Sequence, residues 1–280
     1  MRTALSQRPA WHARLQLGVA LRDGRSVLGR CEHHGPLRIQ KVLYPEGPGL
    51  AQLLMLHPPS GIAGGDALEI GVHAESGACA LLTTPGAGKW YKSAGRVARQ
   101  SVRLRVDAGA ALEWLPQEAI VFDRAEAEQV LHVDCHGSAR CIGWDIAVLG
   151  RLGSDERFEH GRWQQRIDLC RDGERLWAER GRVDGGDPLL RSVVGWNGLH
   201  VCGLMWVIGM PDDEALLDAC RAVPADGVRV GVTAPRDALL LVRVLGDSAE
   251  RVRGCLGAIW ALLRPAVLGR PAVPPRIWST

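Results

Sequence analysis

Two glycine-dense turns on either side of one alternating segment, within residues 57–93, constrain the fold more than any other part of this sequence. The first turn, residues 60–66, contains three glycines, which tolerate positive φ and close backbone approach, and it ends in a carboxylate. The residues after it alternate between apolar and polar or small side chains, with Leu68, Ile70 and Val72 on one face. This period of two predicts a half-buried β-strand held between tight turns.

The second turn, residues 85–89, has the outline of a phosphate-binding loop because two glycines precede Lys89. Thr83, however, stands where the first glycine of a Walker A motif belongs, and Trp90 replaces the Ser or Thr that would bind magnesium. The sequence therefore predicts that this turn does not bind a nucleotide.

Short alternating segments continue along most of the chain. Val102, Leu104 and Val106 alternate with polar residues, and turn signals such as the Ala-Gly pair at 108–109 separate one run from the next. This spacing predicts mainly antiparallel or solenoid-like β-structure.

Two segments of the last third show helical spacing instead. Residues 211–223 carry acidic residues in their first turn, and residues 248–263 begin with Ser248 as an N-cap and place apolar residues on one face. Between them, residues 228–232 and 238–245 are apolar strand candidates. The C-terminal part is therefore predicted to combine strands with helices.

Bulk composition narrows the class of protein. A chain of 280 residues with 46% hydrophobic residues can bury a sizeable core. A formal charge of +3 is too small to indicate a nucleic-acid partner. Residues 1–14 contain no apolar run of signal-peptide length, and no segment approaches the roughly 18 apolar residues of a membrane span. We therefore expect a cytoplasmic protein without a membrane partner.

Cysteine and histidine residues offer few metal-binding patterns. The eight cysteines form no C-x-x-C pair, so we expect free thiols rather than a zinc ribbon or a thioredoxin motif. If residues 130–136 form a strand, one of its faces carries His132, Asp134 and His136, with Cys141 nearby. This leaves open a site for zinc or nickel beside the more ordinary interpretation, a solvated polar face.

Seven segments spread over nearly the whole chain carry a family resemblance. They are GPLRIQKVLYPEG at 35–47, HPPSGIAGGD at 57–66, LLTTPGAGKWYKS at 81–93, LEWLPQEAIVFD at 112–123, GWDIAVLGR at 143–151, RDGERLWAER at 171–180 and PPRIWST at 274–280. In content and order they resemble the urease accessory protein UreD family, called UreH in some systems.

The resemblance implies a fold as well as a function. It implies a mainly β protein, with a β-helix-like body of two sheet layers and a smaller strand-helix C-terminal lobe. We accordingly expect one UreD-type domain over residues 1–280, with the β body at about 1–208 and the lobe at about 209–280.

Some positions depart from the family pattern. Ser60 stands where the family usually has Gly, and Gly88 stands where Thr is common. Ala51 and Gln52 replace a Cys-His pair that often precedes this strand. A metal-handling role for that pair is therefore not expected in this chain.

The implied function is urease maturation without catalysis. A UreD-type protein is a scaffold or chaperone that bridges apo-urease to the accessory complex. It binds a UreF-like protein directly and a UreG-like GTPase through it, in a dimeric assembly. It also provides a passage for nickel to the urease active site, so we expect transient Ni²⁺ but no tightly bound cofactor.

Three carboxylates in segments that match the family are candidates to line such a passage: Asp66, Asp145 and Glu179. Oxygen ligands hold a late transition metal weakly enough for exchange, whereas a closed thiolate site does not. A structural role is the alternative for each: a turn cap for Asp66, an ion pair with Arg151 for Asp145, and a solvated charge beside Arg180 for Glu179.

Two other functions stay open at this point. One is a purely structural module that bridges urease and a UreF-like protein without touching nickel. The other is a β-solenoid hydrolase that uses two of the three carboxylates as general acid and base. The second is disfavoured because no set of nucleophile, base and orienting residue can be recognised.

Overall fold

The computed structural model describes residues 10–279, and this part of the chain forms eighteen β-strands and two α-helices. Residues 1–9, which contribute to the expectation that no signal peptide is present, lie outside the described residues, as does Thr280. The strands form sheets of seven and eleven members that share one apolar core. The predicted mainly β architecture is confirmed.

The first sheet has seven strands, and its central strands run parallel to one another. In spatial order they are β15 (Glu174–Asp184), β14 (Arg162–Arg171), β12 (Glu126–Cys135), β9 (Ala98–Val106), β6 (Ala67–Ala74), β1 (His12–Arg22) and β2 (Arg25–His34). In β6 every second residue from Leu68 onward is buried, which confirms the predicted alternation.

The second sheet has a main path of eight strands. In spatial order they are β17 (Val228–Arg236), β18 (Leu239–Gly246), β16 (Val201–Ile208), β13 (Arg140–Leu149), β10 (Ala111–Trp114), β7 (Cys79–Thr83), β4 (Ala51–Leu56) and β3 (Arg38–Leu43). Three short strands complete this sheet beside β13: β11 (Ala119–Val121), β8 (Gly88–Trp90) and β5 (Gly61–Ile62). The glycine turn at residues 85–89 thus leads into a strand, not into the helix that a phosphate loop needs.

Successive windings of the chain alternate between the two sheets. From β6 in the first sheet the chain passes to β7 in the second, then to β9 in the first and β10 in the second. Each strand lies parallel to its predecessor in the same sheet, since the crossover runs through the opposite sheet. Gly77 and Gly109 turn equivalent corners with φ of 75°, a conformation that glycine adopts without strain. The β-helix-like, two-layer body is confirmed.

The C-terminal part contains both predicted helices. Helix α1 spans Glu214–Arg221 and is capped by Asp213, and helix α2 spans Ala249–Leu268 and is capped by Ser248. Each cap accepts a backbone N–H from the first turn, as the sequence pattern predicts. Within residues 10–279, neither helix combines the length and the apolarity that a bilayer span requires.

The strands of the C-terminal part extend the second sheet rather than forming a sheet of their own. Strand β18 pairs antiparallel with β16 along its whole length, and β17 pairs with β18. Helix α2 covers the outer face of this sheet through an apolar core that includes Trp144, Leu256 and Trp260. The space between the two sheets is therefore separate from the space under the helix.

Candidate functional site: a polar path between the sheets

Asp145 is a buried carboxylate in the largely apolar space between the sheets. Its neighbours at alternate positions of β13, Cys141 and Ala147, belong to the core between the sheets, whereas Trp144 faces helix α2. Gln129, from β12 of the opposite sheet, donates its side-chain N–H to Asp145 Oδ1 at 3.0 Å. The sequence alternative of an ion pair between Asp145 and Arg151 is not what the fold contains, because Arg151 pairs with Glu156.

The second oxygen of Asp145 has no hydrogen-bond partner among the described residues. The indole N–H of Trp114 lies close to the carboxylate and is likewise unpaired. Burial raises the pKa of Asp145 to about 7, against the opposing effects of the Gln129 hydrogen bond and of the nearby Trp114 indole N–H. Unpaired buried polar groups are rare in folded proteins, so this oxygen marks a place where a proton, a water or a cation can be accommodated.

Glu179 lies on β15 and is tied to the opposite sheet by an arginine. Arg243 of β18 donates two parallel hydrogen bonds to the Glu179 carboxylate, of 3.0 and 2.5 Å. The indole N–H of Trp177 adds a third, of 3.2 Å. The sequence alternative of a solvated charge beside Arg180 does not hold, because the Glu179 side chain is only 17% exposed and pairs with Arg243, while Arg180 binds Asp168.

The structure brings Asp145 and Glu179 together in the wall of one cavity of about 250 Å³. Trp163, Cys202 and Arg243 line the same cavity. Burial raises the pKa of Cys202 to about 11, so its thiol is protonated at neutral pH and is a poor metal ligand.

Asp145 also lines a second, smaller cavity of about 80 Å³. Its wall includes Gln129 and Trp114 and continues to Glu118 and to the exposed Gly88 in the second glycine turn. At this end, Arg253 of helix α2 lies 3.5 Å from the Glu118 carboxylate. The series Glu179, Asp145, Gln129 and Glu118 is called the internal polar path below.

Asp66 lies apart from the internal polar path. Its two oxygens accept the backbone N–H groups of Trp11 and Ala63, at 2.8 and 2.9 Å. This geometry is that of the turn cap considered as the structural alternative, and Asp66 lines neither cavity beside Asp145.

The histidine cluster that the sequence left open as a metal site on β12 is only partly assembled. His132 and Asp134 alternate with buried residues, and His136 Nε2 lies 3.3 Å from Asp134 Oδ2. Cys141 is fully buried in the core between the sheets beside Cys135, away from the histidines. Over residues 10–279 no group of three or more His, Cys, Asp or Glu side chains is arranged to hold a metal ion.

Of the positions that depart from the family pattern, Gly88 lines the smaller cavity, whereas Ala51 and Gln52 lie away from Asp145. Ala51 and Gln52 are both buried in β4, and neither lines the two cavities. Sequence reasoning missed Gln129, Arg243 and Arg253. A signal for Gln129 was present, because it occupies an inward position of β12 between Ala127 and Leu131.

Comparison with known proteins agrees with the resemblance seen in the sequence. The family model described as "UreD urease accessory protein" matches residues 12–279. The chain is 51% identical to the urease accessory protein UreD of Dechloromonas aromatica (strain RCB), over 97% of this chain and 96% of the relative. It is 45% identical to the corresponding protein of Azoarcus sp. (strain BH72), over 100% and 98% of the two chains. With its β-helix-like body and this near-complete match, the chain belongs to the UreD family of urease accessory proteins.

Proposed function

We propose that this chain serves urease maturation as a scaffold that bridges apo-urease to the accessory complex and provides a path for nickel. The observation that carries the nickel path is Asp145, a buried carboxylate with a free oxygen at the junction of two cavities. A purely structural core would place an apolar residue there, since an unpaired buried carboxylate oxygen is costly.

The chemistry of the internal polar path suits transfer better than storage. Isolated carboxylate and amide oxygens, with water, bind nickel weakly and allow exchange, whereas thiolate clusters retain it. Selectivity then depends on which protein delivers the ion and at which end. The path therefore fits a protein that relays nickel between two partners.

The partners follow from the family. The relatives are urease accessory proteins, so urease is the proposed client. A UreF-like protein is the proposed direct partner and a UreG-like GTPase the indirect one, in a dimeric assembly. All eight cysteines are free thiols, which supports the proposed cytoplasmic location.

Neutral isosteres of the two cavity carboxylates test the nickel path. Asp145→Asn combined with Glu179→Gln keeps side-chain volume and removes the negative charge that attracts a divalent cation. We expect urease activity and bound nickel to fall at least about tenfold in cells carrying this variant. Pull-down of urease and of the UreF-like protein should be unchanged.

Glu69→Gln provides the matched control, because Glu69 is exposed on the outer face of the first sheet. This variant should activate urease like the unaltered chain. Full activation by the double variant would refute the nickel path and favour the bridging module that makes no nickel contact.

A hydrolase remains the less supported alternative. An acid and base pair must exchange protons with a substrate, yet both oxygens of Glu179 are engaged by Arg243. Cys202, the thiol in the same cavity, has a pKa too high for a nucleophile. We therefore propose that the chain is not an enzyme.

A further inference from the structure

The ion pair between Arg243 and Glu179 joins the two sheets in the wall of the larger cavity. The two N–H···O contacts are parallel, which is the strongest arrangement available to an arginine and a carboxylate. The pairing raises the pKa of Arg243, through the hydrogen bond and the charge of Glu179. A permanent positive charge thus occupies both oxygens that a cation in the cavity would use.

The two partners of this ion pair differ in exposure. The Glu179 side chain is 17% exposed, whereas the Arg243 side chain is 50% exposed. The carboxylate therefore lies on the inner side and the guanidinium on the outer side. A carboxylate of a docking protein can reach Arg243 from solvent without entering the cavity.

The other end of the internal polar path has a similar arrangement. Arg253 reaches from helix α2 to Glu118 and also donates a hydrogen bond to Gln117. At each end of the path an arginine therefore pairs with a carboxylate, whereas Asp145 in the middle has no arginine partner among the described residues.

We propose that Arg243 is a gate: its guanidinium takes the place of a divalent cation on Glu179 and closes this end of the path while apo-urease is not docked. Competition from an acidic side chain of the docking protein withdraws Arg243 and frees Glu179. This inference rests on the proposed nickel path and identifies what controls entry to it.

A second ion pair between the two sheets, Arg236 with Glu174, lies outside the larger cavity. Arg236 of β17 binds Glu174 of β15 at 3.0 Å, so this ion pair joins the same two sheets at another point along β15. Both side chains are exposed, at 48% and 73%, and neither lines the larger cavity. Arg236→Gln is therefore the matched control for Arg243→Gln.

The test measures binding of nickel chloride by calorimetry to the purified complex of this chain with its UreF-like partner. Removing a positive charge next to Glu179 strengthens attraction for a divalent cation, so Arg243→Gln should bind Ni²⁺ at least about tenfold more tightly. Arg236→Gln should bind like the unaltered complex. Adding Glu179→Gln to Arg243→Gln should abolish the gain.

An unchanged affinity in Arg243→Gln, or a gain that survives Glu179→Gln, would overturn the gate. If Arg243→Gln does not fold, Arg243→Lys keeps the charge but not the two parallel bonds, and it must show a smaller gain in the same direction. Unaltered affinity in that variant would also overturn the proposal. The binding measurement does not depend on urease activation, so the gate and the nickel path can fail separately.

Discussion

Asp145 is the residue whose environment differs most from what its type prefers. A carboxylate with one neutral hydrogen-bond donor and one free oxygen is poorly compensated for the loss of water. Its pKa of about 7 means that the carboxylate is often protonated at neutral pH, so a proton and any cation in the path compete for it. A carboxylate at this position therefore costs stability, which agrees with the role proposed for it in the nickel path.

Asp145→Asn should make the protein more stable at pH 8 than the unaltered chain, by about 2–4 kcal/mol. The folded-state pKa is raised above the ordinary aspartate value of 3.8, so the folded state retains a proton that the unfolded state loses. The contribution of Asp145 to stability is therefore greatest below about pH 4 and falls as the pH rises to about 7, above which it stays constant.

Urea unfolding followed by circular dichroism at pH 5 and pH 8 measures this effect. The difference in unfolding free energy between Asp145→Asn and the unaltered protein should be smaller at pH 5 than at pH 8. An equal difference at both values would show that Asp145 titrates normally in the folded chain.

Helix α2 continues five residues beyond the end predicted at residue 263 because its last turns are fixed by buried contacts. Arg264 is fully buried and binds Glu46 of the β3–β4 connection and Glu113 of β10, at 2.7 and 2.9 Å. The indole N–H of Trp260 also donates to Glu113, at 2.7 Å. These contacts outweigh the unfavourable position of Pro265 inside the helix.

Arg264→Met should destabilise the protein by about 3–5 kcal/mol, since it leaves two buried carboxylates without their charge partner. Arg251→Met in the same helix is the control. Arg251 is exposed, and its ion pair with Asp247, at 3.6 Å, is also exposed and therefore weak. That variant should stay within about 0.5 kcal/mol of the unaltered protein in urea unfolding. A loss below about 1 kcal/mol for Arg264→Met would contradict a stabilising role for the buried network.

The molecule as a whole buries most of its tryptophans yet exposes apolar side chains elsewhere. Six of the ten tryptophans are buried: Trp90, Trp114, Trp144, Trp163, Trp206 and Trp260. By contrast, the adjacent Val193 and Val194 are 77% and 87% exposed, in the loop that also places Leu189 and Trp196 at the larger cavity. Exposed apolar groups of this kind favour association.

We expect the chain to be recovered poorly when it is produced alone and to become soluble when it is co-expressed with a UreF-like protein. A partner covers apolar surface that otherwise drives aggregation. Soluble yield and size-exclusion chromatography, with and without the partner, measure the effect. Replacing Val193 and Val194 by Ser should raise the yield of the chain alone, and a high yield of an unaltered monomer without affinity for the partner would contradict the expectation.

The local sequence pattern was sufficient to predict individual strands and helices of this fold. The alternation of Leu68, Ile70 and Val72 predicts a strand because burial of one face has a period of two residues. Asp213 and Ser248 predict helix starts because a cap acts on N–H groups within its own first turn. The motif series also predicted the family and its two-layer body, which the fold and the relatives confirm.

The assembly of the candidate site was decided only by tertiary structure. Gln129 lies 16 residues from Asp145, and Arg243 lies 64 residues from Glu179. Which of several arginines meets a given carboxylate depends on strand register and sheet order, which no local pattern specifies. The pKa of Asp145 depends in turn on how deeply the two sheets bury it. Sequence could therefore nominate Asp66, Asp145 and Glu179 alike, but only the packing of one sheet on the other separated a turn cap from two carboxylates that share a cavity.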